Sequence, residues 1–298
     1  MAAPRLAHPD PIITAIHTAQ KVQWRRLTPG GYHRHMHPGL KRAAVAAALL
    51  SPLAGCLSDL QPGAKSIFDL WSPPAPEEAA RWAIDPYDPE NRFRGTMLLA
   101  NASFAGQPVY IRLFEDNIKD SDPGVRGAAI RGLANHGNPD HVPLIAERLK
   151  DSDPSVRIEA ARGLQRLHNP VAVAPLIEAI DPAKENEPAV RAQAATALGQ
   201  YRQPRVVEQL ITSLDDENLS INHTTRSSLT TLTGQDFGFD RGSWARWNKD
   251  EKQTFAAGGV FMYPVFNRAK RWYEHIPFVP PPPNEISSIP AGMKPVGP

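Results

Sequence analysis

The sequence predicts an all-α protein, an α-solenoid of about five stacked helical hairpins with irregular N- and C-terminal extensions. Three observations predict it. The phrase DSDPGVR at 120–126 returns as DSDPSVR at 151–157 and, more loosely, as NEPAVR at 186–191. Apolar and small residues recur behind each phrase at fixed offsets. Proline falls where helices would begin. Repeat periods of about 30 residues are the signature of stacked supersecondary units.

Read in chain order, residues 1–35 come first, a segment expected to be a mis-called or dispensable extension, with Met36 the true start. Its YHRHMH stretch (residues 32–37) matches no metal-ligand spacing, and no metal or cofactor is expected. Residues 36–55 read as an export signal. Lys41 and Arg42 form a positive start, residues 43–54 a short apolar run, and small residues precede Cys56. That run is too short for the roughly 20 residues that span a bilayer. The tetrad Leu53-Ala54-Gly55-Cys56 resembles a bacterial lipobox. The resemblance implies cleavage before Cys56 and lipid attached to its thiol and new amino terminus. Each buried methylene of such an anchor contributes about 0.8 kcal/mol. As the single cysteine of the chain, Cys56 has no intramolecular disulfide partner. Residues 56–84 then read as a tether with a short helix at 76–83.

Residues 85–233 carry the repeat. With Val125, Val156, Val190 and Ile221 as origins, spaced 31, 34 and 31 residues, the fourth residue on is always small: Ala129, Ala160, Ala194, Thr225. The eighth is always leucine: Leu133, Leu164, Leu198, Leu229. Val142, Val173 and Val207 follow in step, then Leu149, Ile180 and Leu214. These offsets describe two amphipathic helices per unit. Asp122-Pro123 and Asp153-Pro154 cap the first helix, and Asn138-Pro139 and Asn169-Pro170 the second. An earlier copy is expected at Leu98, Ala102, Ile111 and Ile118, one period of 31 upstream. The last copy is polar, with Asn222 where the others have arginine, and reads as an end cap.

The pattern DPxVRxxAAxxL at this period resembles the HEAT-like repeats first recognised in phycobilisome lyases. The resemblance covers about half the chain. It implies an ARM/HEAT-type superhelix, and a structural ladder in which Arg126, Arg157 and Arg191 pair with acids of neighbouring units. It also raises two enzyme readings. A di-iron hydroxylase of this type carries His-Glu ligand pairs, but no such dipeptide occurs here. A bilin lyase would have no cytoplasmic substrate to meet after export.

Residues 234–254 read as a C-terminal cap. Phe237 and Phe239 are expected to fold over the last repeat, with Trp244 and Trp247 on one helix face, packed or offered to a partner. Residues 255–298 read as an aromatic and then proline-rich tail: the aromatics Phe261, Tyr263, Phe266, Trp272, Tyr273 and Phe278 are expected to give irregular structure wrapping the solenoid, followed by a polyproline stretch at Pro280–Pro283 and a loose end.

Charge narrows the function. Of 33 basic and 31 acidic residues, residues 1–42 hold seven and one, leaving 26 against 30, a net of −4. A nucleic-acid reader carries its basic face on the folded part, so nucleic acid is excluded as a partner. The expected function is a scaffold for other proteins, held by its lipid on the periplasmic face of an envelope membrane, without catalysis. Leu57, where many inner-membrane lipoproteins have Asp, points to the outer membrane. Asp116, Glu147 and Glu178, spaced 31 apart, are expected to form an acidic row with Arg148 beside it on a concave face of second helices, a candidate partner surface with Trp244 and Trp247. The alternatives are a structural lipoprotein touching wall polymer through its tail, and an enzyme of the lyase or hydroxylase type.

Overall fold

Proline and the short polar residue before it set where most helices start. The computed structural model describes residues 75–264 and 287–294. Expectations for Cys56, the export signal and Pro280–Pro283 lie outside the described residues. Among them are eleven α-helices. The first is α1 (Pro76–Ala83). Four hairpins follow: α2 (Pro89–Ala100) with α3 (Pro108–Asn117), α4 (Pro123–His136) with α5 (Val142–Glu147), α6 (Pro154–Gly163) with α7 (Val173–Ile180), and α8 (Pro188–Leu198) with α9 (Pro204–Thr212). The last pair is α10 (Leu219–Thr233) and α11 (Arg241–Asp250). The protein is an all-α solenoid.

Each first helix is capped as the sequence implies. The carboxylates of Asp88, Asp122, Asp153 and Glu187 and the amide of Asn218 accept backbone N–H groups of the first turn. Proline at the first helical position removes a donor that would have no partner there. Asn138 and Asn169 do the same for 3-10 turns that lead into α5 and α7.

The repeat positions make the core. The Val/Ile, small and Leu positions of α4, α6, α8 and α10 all have 0% exposure. Alanine at the central position lets first helices lie close together, and they pack on one another in sequence, α2 on α4, α4 on α6, α6 on α8 and α8 on α10. Second helices touch one another far less. The array therefore has one crowded layer and one open one. Of the 14 residues of α4 none is exposed. Side chains of the crowded first-helix layer are thus the more recessed ones, and the charged positions expected on a concave face of second helices lie on the open layer.

The first unit also departs from expectation. Leu98 is 37% exposed, and Ala102 and Ile111 are only half-buried. Leu99, Ala100, Tyr110, Leu113 and Phe114 fill the core instead. From Arg92 to Arg126 the spacing is 34, whereas from Ile118 to Leu149 it is 31. The connection at 101–107 absorbs three extra residues, so a fixed step of 31 lands on the wrong face of α2.

At the far end, Trp244 is wholly buried, and its Nε1–H donates to the Gly238 carbonyl at 3.0 Å. Phe237 meets Trp244 edge-on at 5.0 Å and Trp247 at 6.0 Å. Phe239 lies apart, 40% exposed, against His223 and Arg226 of α10. Gly234 ends α10 in the left-handed region, with φ 71°. A Cβ there would also collide with the Ala257 carbonyl.

Gly132 of α4 faces the Phe114 ring of α3, and a Cβ would come within 2.6 Å of it. Gly132→Ala should lower unfolding stability by about 1–3 kcal/mol through overpacking, measured by urea denaturation. The same change at Gly106, where nothing lies within 4 Å, should be near neutral.

Candidate functional site

The surface is held in register by one ladder of charge. Arg126 donates from Nε and Nη2 to Asp151 of the next unit at 2.8 and 2.6 Å. Its Nη1 donates to the Asp120 carbonyl of its own loop at 2.9 Å. Arg157 repeats the arrangement with Glu185 (2.6 and 2.9 Å) and the Asp151 carbonyl (2.9 Å). Arg191 does so with Asp216 (3.0 and 3.2 Å) and the Glu185 carbonyl (2.8 Å). Arg92, not singled out from the sequence, begins the series on Asp120 at 2.7 and 3.0 Å. Asn222 ends it: its amide reaches the Asp216 carbonyl at 3.0 Å and goes no further.

Each ladder acid has a second task. Asp120, Asp151, Glu185 and Asp216 each accept the N–H two residues on, belonging to the residue that caps the next helix. The first Asp of DSDP is the rung and the second is the cap. Burial pushes the Asp151 carboxyl up, but hydrogen bonds from Arg126 and the Asp153 N–H outweigh it and hold the group below its ordinary value. Asp120 behaves alike, with Arg92 and the Asp122 N–H. Depressed carboxyl values give stability that is fully present above pH ~4 and lost as pH falls through the lower native value. Asp151→Ala should cost about 3 kcal/mol at pH 7, because it strands a mostly buried guanidinium. The gap to wild type should narrow toward pH 2, measured by denaturant titration at both pH values.

The recessed layer carries a cleft. Arg131 and Asn135 of α4, Glu159 and Arg162 of α6, Gln165 and Arg166 just beyond it, and Gln193 of α8 line a space of about 150 Å³. Its floor is tied across units. Arg131 meets Glu159 at 3.3 Å, Arg166 donates to Asn135 at 2.9 Å, and Gln165 donates to Gln193 at 2.9 Å.

One wall is the chain's own C-terminal segment. Arg202 donates to the carbonyls of Gly258 and Gly259, each at 3.0 Å, and the Gly259 N–H reaches Thr231 at 2.8 Å. Phe261 is buried, and Tyr263 lies under the Arg166 guanidinium, 4.9 Å away. Ala291 pairs with the strand-like stretch after α6, accepting from the His168 N–H and donating to the Arg166 carbonyl, both at 2.8 Å. The Tyr263 N–H donates to Ser288 at 3.1 Å, so both described pieces of the tail meet here. Arg162, Arg166 and Arg202 were not singled out from the sequence, whereas Tyr263 belongs to the aromatics expected to wrap the repeats. Arg131 and Arg162 do recur at 31 residues, a signal that was present.

The sequence-based surface fares differently. Asp116 and Glu147 are exposed and Glu178 is half-buried, on the open layer. Glu178 pairs with Lys150 at 3.0 Å, and Glu147 with Arg148 at 3.6 Å. The Lys150 hydrogen bond holds the Glu178 carboxyl below its ordinary value. With two cations interleaved among three acids, the row is nearly neutralised. Trp244 is removed from the candidate surface, because no part of its ring meets solvent. Trp247 keeps partial exposure.

Among the described residues no three His, Cys, Asp or Glu side chains are grouped to hold a metal ion, and no helix is long and apolar enough to cross a membrane. Tyr263→Ala removes a cation–π contact of about 0.5–2 kcal/mol. Amide exchange at His168 and Ala291 should accelerate several-fold in that variant, while the amides of α8 stay protected.

Comparison with known proteins agrees with the architecture. The HEAT repeats family matches residues 111–185, from the second helix of the first hairpin to the ladder acid Glu185. The PBS lyase HEAT-like repeat matches residues 190–216, from Val190 to the ladder acid Asp216. No curated protein matches the chain.

Proposed function

We propose that the protein is an envelope-anchored scaffold that holds other proteins on its recessed first-helix layer and performs no chemistry itself. HEAT repeats commonly mediate protein–protein contacts. One observation carries the reading: polypeptide is already held along the edge of this layer, at the C-terminal ends of the first helices and the turns that follow them. Arg202 grips two consecutive backbone carbonyls, and Ala291 exchanges backbone hydrogen bonds across the stretch after α6. Backbone-directed contacts of this kind give affinity for any extended chain, and pockets beside them give selectivity. Rigid stacking keeps the contacts in register, so a partner binds without first ordering the scaffold.

Anchoring rests on the lipobox-like Leu53–Cys56 and the basic-then-apolar order before it. Two or more acyl chains give a stable anchor where one does not. Leu57 favours the outer membrane. The alternative, contact with wall polymer through the tail, loses ground because residues 258–264 and 288–292 are engaged by the repeats.

Mass spectrometry of the mature amino terminus should find Cys56 as a lipid-modified first residue, and Cys56→Ala should move the protein out of the detergent phase. A mature chain that begins upstream of Cys56 overturns the anchor. A photocrosslinker placed at Gln193, on the recessed layer, should capture protein partners in intact cells, and one at Asp116, on the open layer, should not.

A further inference from the structure

We infer that the hollow beside Trp247, between the end of α10, the last turn of α11 and the loop after it, binds an uncharged pyranose unit of a carbohydrate, with the sugar ring stacked on the indole. The site lies on the C-terminal cap, away from the recessed layer, and goes beyond the protein-binding reading without resting on it.

Three pieces of chain build the hollow. Gln235 comes from the turn after α10, Trp247 and Asp250 from α11, and Lys252, Gln253 and Ala256 from the loop that follows. They line a space of about 450 Å³, a size ordinary for a small-ligand site. Gly234, left-handed at φ 71°, lets the backbone at Ala257 lie close against the end of α10. Trp247 is held by its neighbours. Phe237 stands 6.0 Å from it, and Trp244, itself anchored to the Gly238 carbonyl, lies perpendicular to it at 6.1 Å. The indole is therefore a wall set in place beforehand, and a ligand loses little affinity in ordering it.

The polar groups around the indole are unused by the fold. Among the described residues, the side-chain amides of Gln235 and Gln253, the Asp250 carboxylate and the Trp247 Nε1–H have no hydrogen-bond or ion-pair partner. Glutamines elsewhere are engaged, as Gln165 with Gln193 and Gln200 with the Leu164 carbonyl. Charge then narrows the ligand. Asp250 and Glu251 oppose an anion, and Lys252 in the same lining opposes a cation. A wholly apolar ligand would strip water from these polar groups and return no hydrogen bond. What fits is an uncharged molecule with one apolar face and adjacent hydroxyls, which describes a pyranose. Its slightly positive C–H groups meet the electron-rich face of the indole. Its hydroxyls each donate and accept, matching amides that do both and a carboxylate that accepts. Ala256 and Ala257, small and exposed, keep the mouth wide.

The test titrates triacetylchitotriose, maltotriose and free glucose with the whole mature protein in a sugar-free detergent, read by ligand-detected NMR. A lysine-rich peptide is the cationic control. At least one sugar should bind saturably, and the peptide should not. Preference for a trisaccharide makes the ligand a polymer, and equal binding of glucose makes it a free sugar; either result supports the site. Trp247→Ala should abolish binding, and Trp247→Phe, which keeps a ring, should retain part of it. Gln253→Ala, at an exposed side chain that the fold does not use, should raise Kd about threefold to tenfold at unchanged Tm, the scale of one neutral hydrogen bond. Tyr87→Ala, an exposed aromatic of the first unit, should change nothing. No saturable binding of any of the three sugars, or binding that survives both Trp247→Ala and Gln253→Ala, overturns the inference. So does saturation by the lysine peptide alone, which would give the hollow to a protein partner. Capture by the crosslinker at Gln193 does not depend on Trp247, so the scaffold reading stands or falls separately.

Discussion

Neighbouring hairpins in this protein are joined by a guanidinium that must satisfy two loops at once. Each of Arg92, Arg126, Arg157 and Arg191 binds a carboxylate of the following unit and a carbonyl of its own. The carboxylate in turn orients the N–H of the capping residue two positions on. Helix start, loop shape and inter-unit register are thereby fixed by one set of atoms. Apolar burial supplies most of the stability, since every core position of α4, α6 and α8 excludes water. Burial alone, however, would tolerate small slides of one hairpin on the next. The bidentate rungs do not, because their geometry is satisfied in one register.

That register creates the surface. Alanines at the central position of first helices draw these helices together and leave their outer side chains half-covered. Arg131, Glu159, Arg162 and Gln193 are all half-buried in consequence. Side chains in that state have lost part of their rotamer freedom before any partner arrives, which lowers the entropic cost of binding. The open second-helix layer lacks this advantage. Its charges are solvated and pair locally, as Lys150 with Glu178.

The repeat itself was legible because stacking forces the same residue types to the same depth. Val125, Val156 and Val190 could be aligned by eye. The first unit was misplaced for a physical reason: three residues inserted at 101–107 move α2 relative to α3 without weakening either helix. The first Asp of DSDP is not identifiable as a rung from sequence, because a rung and a solvated loop acid look alike until the arginine that reaches it is placed. Trp244 and Trp247 stand three apart, and spacing cannot say which points down; the Nε1 bond to Gly238 decides it. The aromatics beyond residue 255 point to a segment wrapped on the repeats, but not to where it docks. Gly258, Gly259 and Ala291 are held through backbone atoms, and such contacts leave no mark on side-chain chemistry.

Asn222 gives the array a polarity of growth. Every earlier hairpin sends a guanidinium outward to recruit the one after it, but this amide stops at the Asp216 carbonyl. The Phe237–Trp244 packing then stoppers the end beyond it. Copies of the chain therefore find no socket there to extend the stack head-to-tail, and a fold made of repeating modules is kept from running on into filaments.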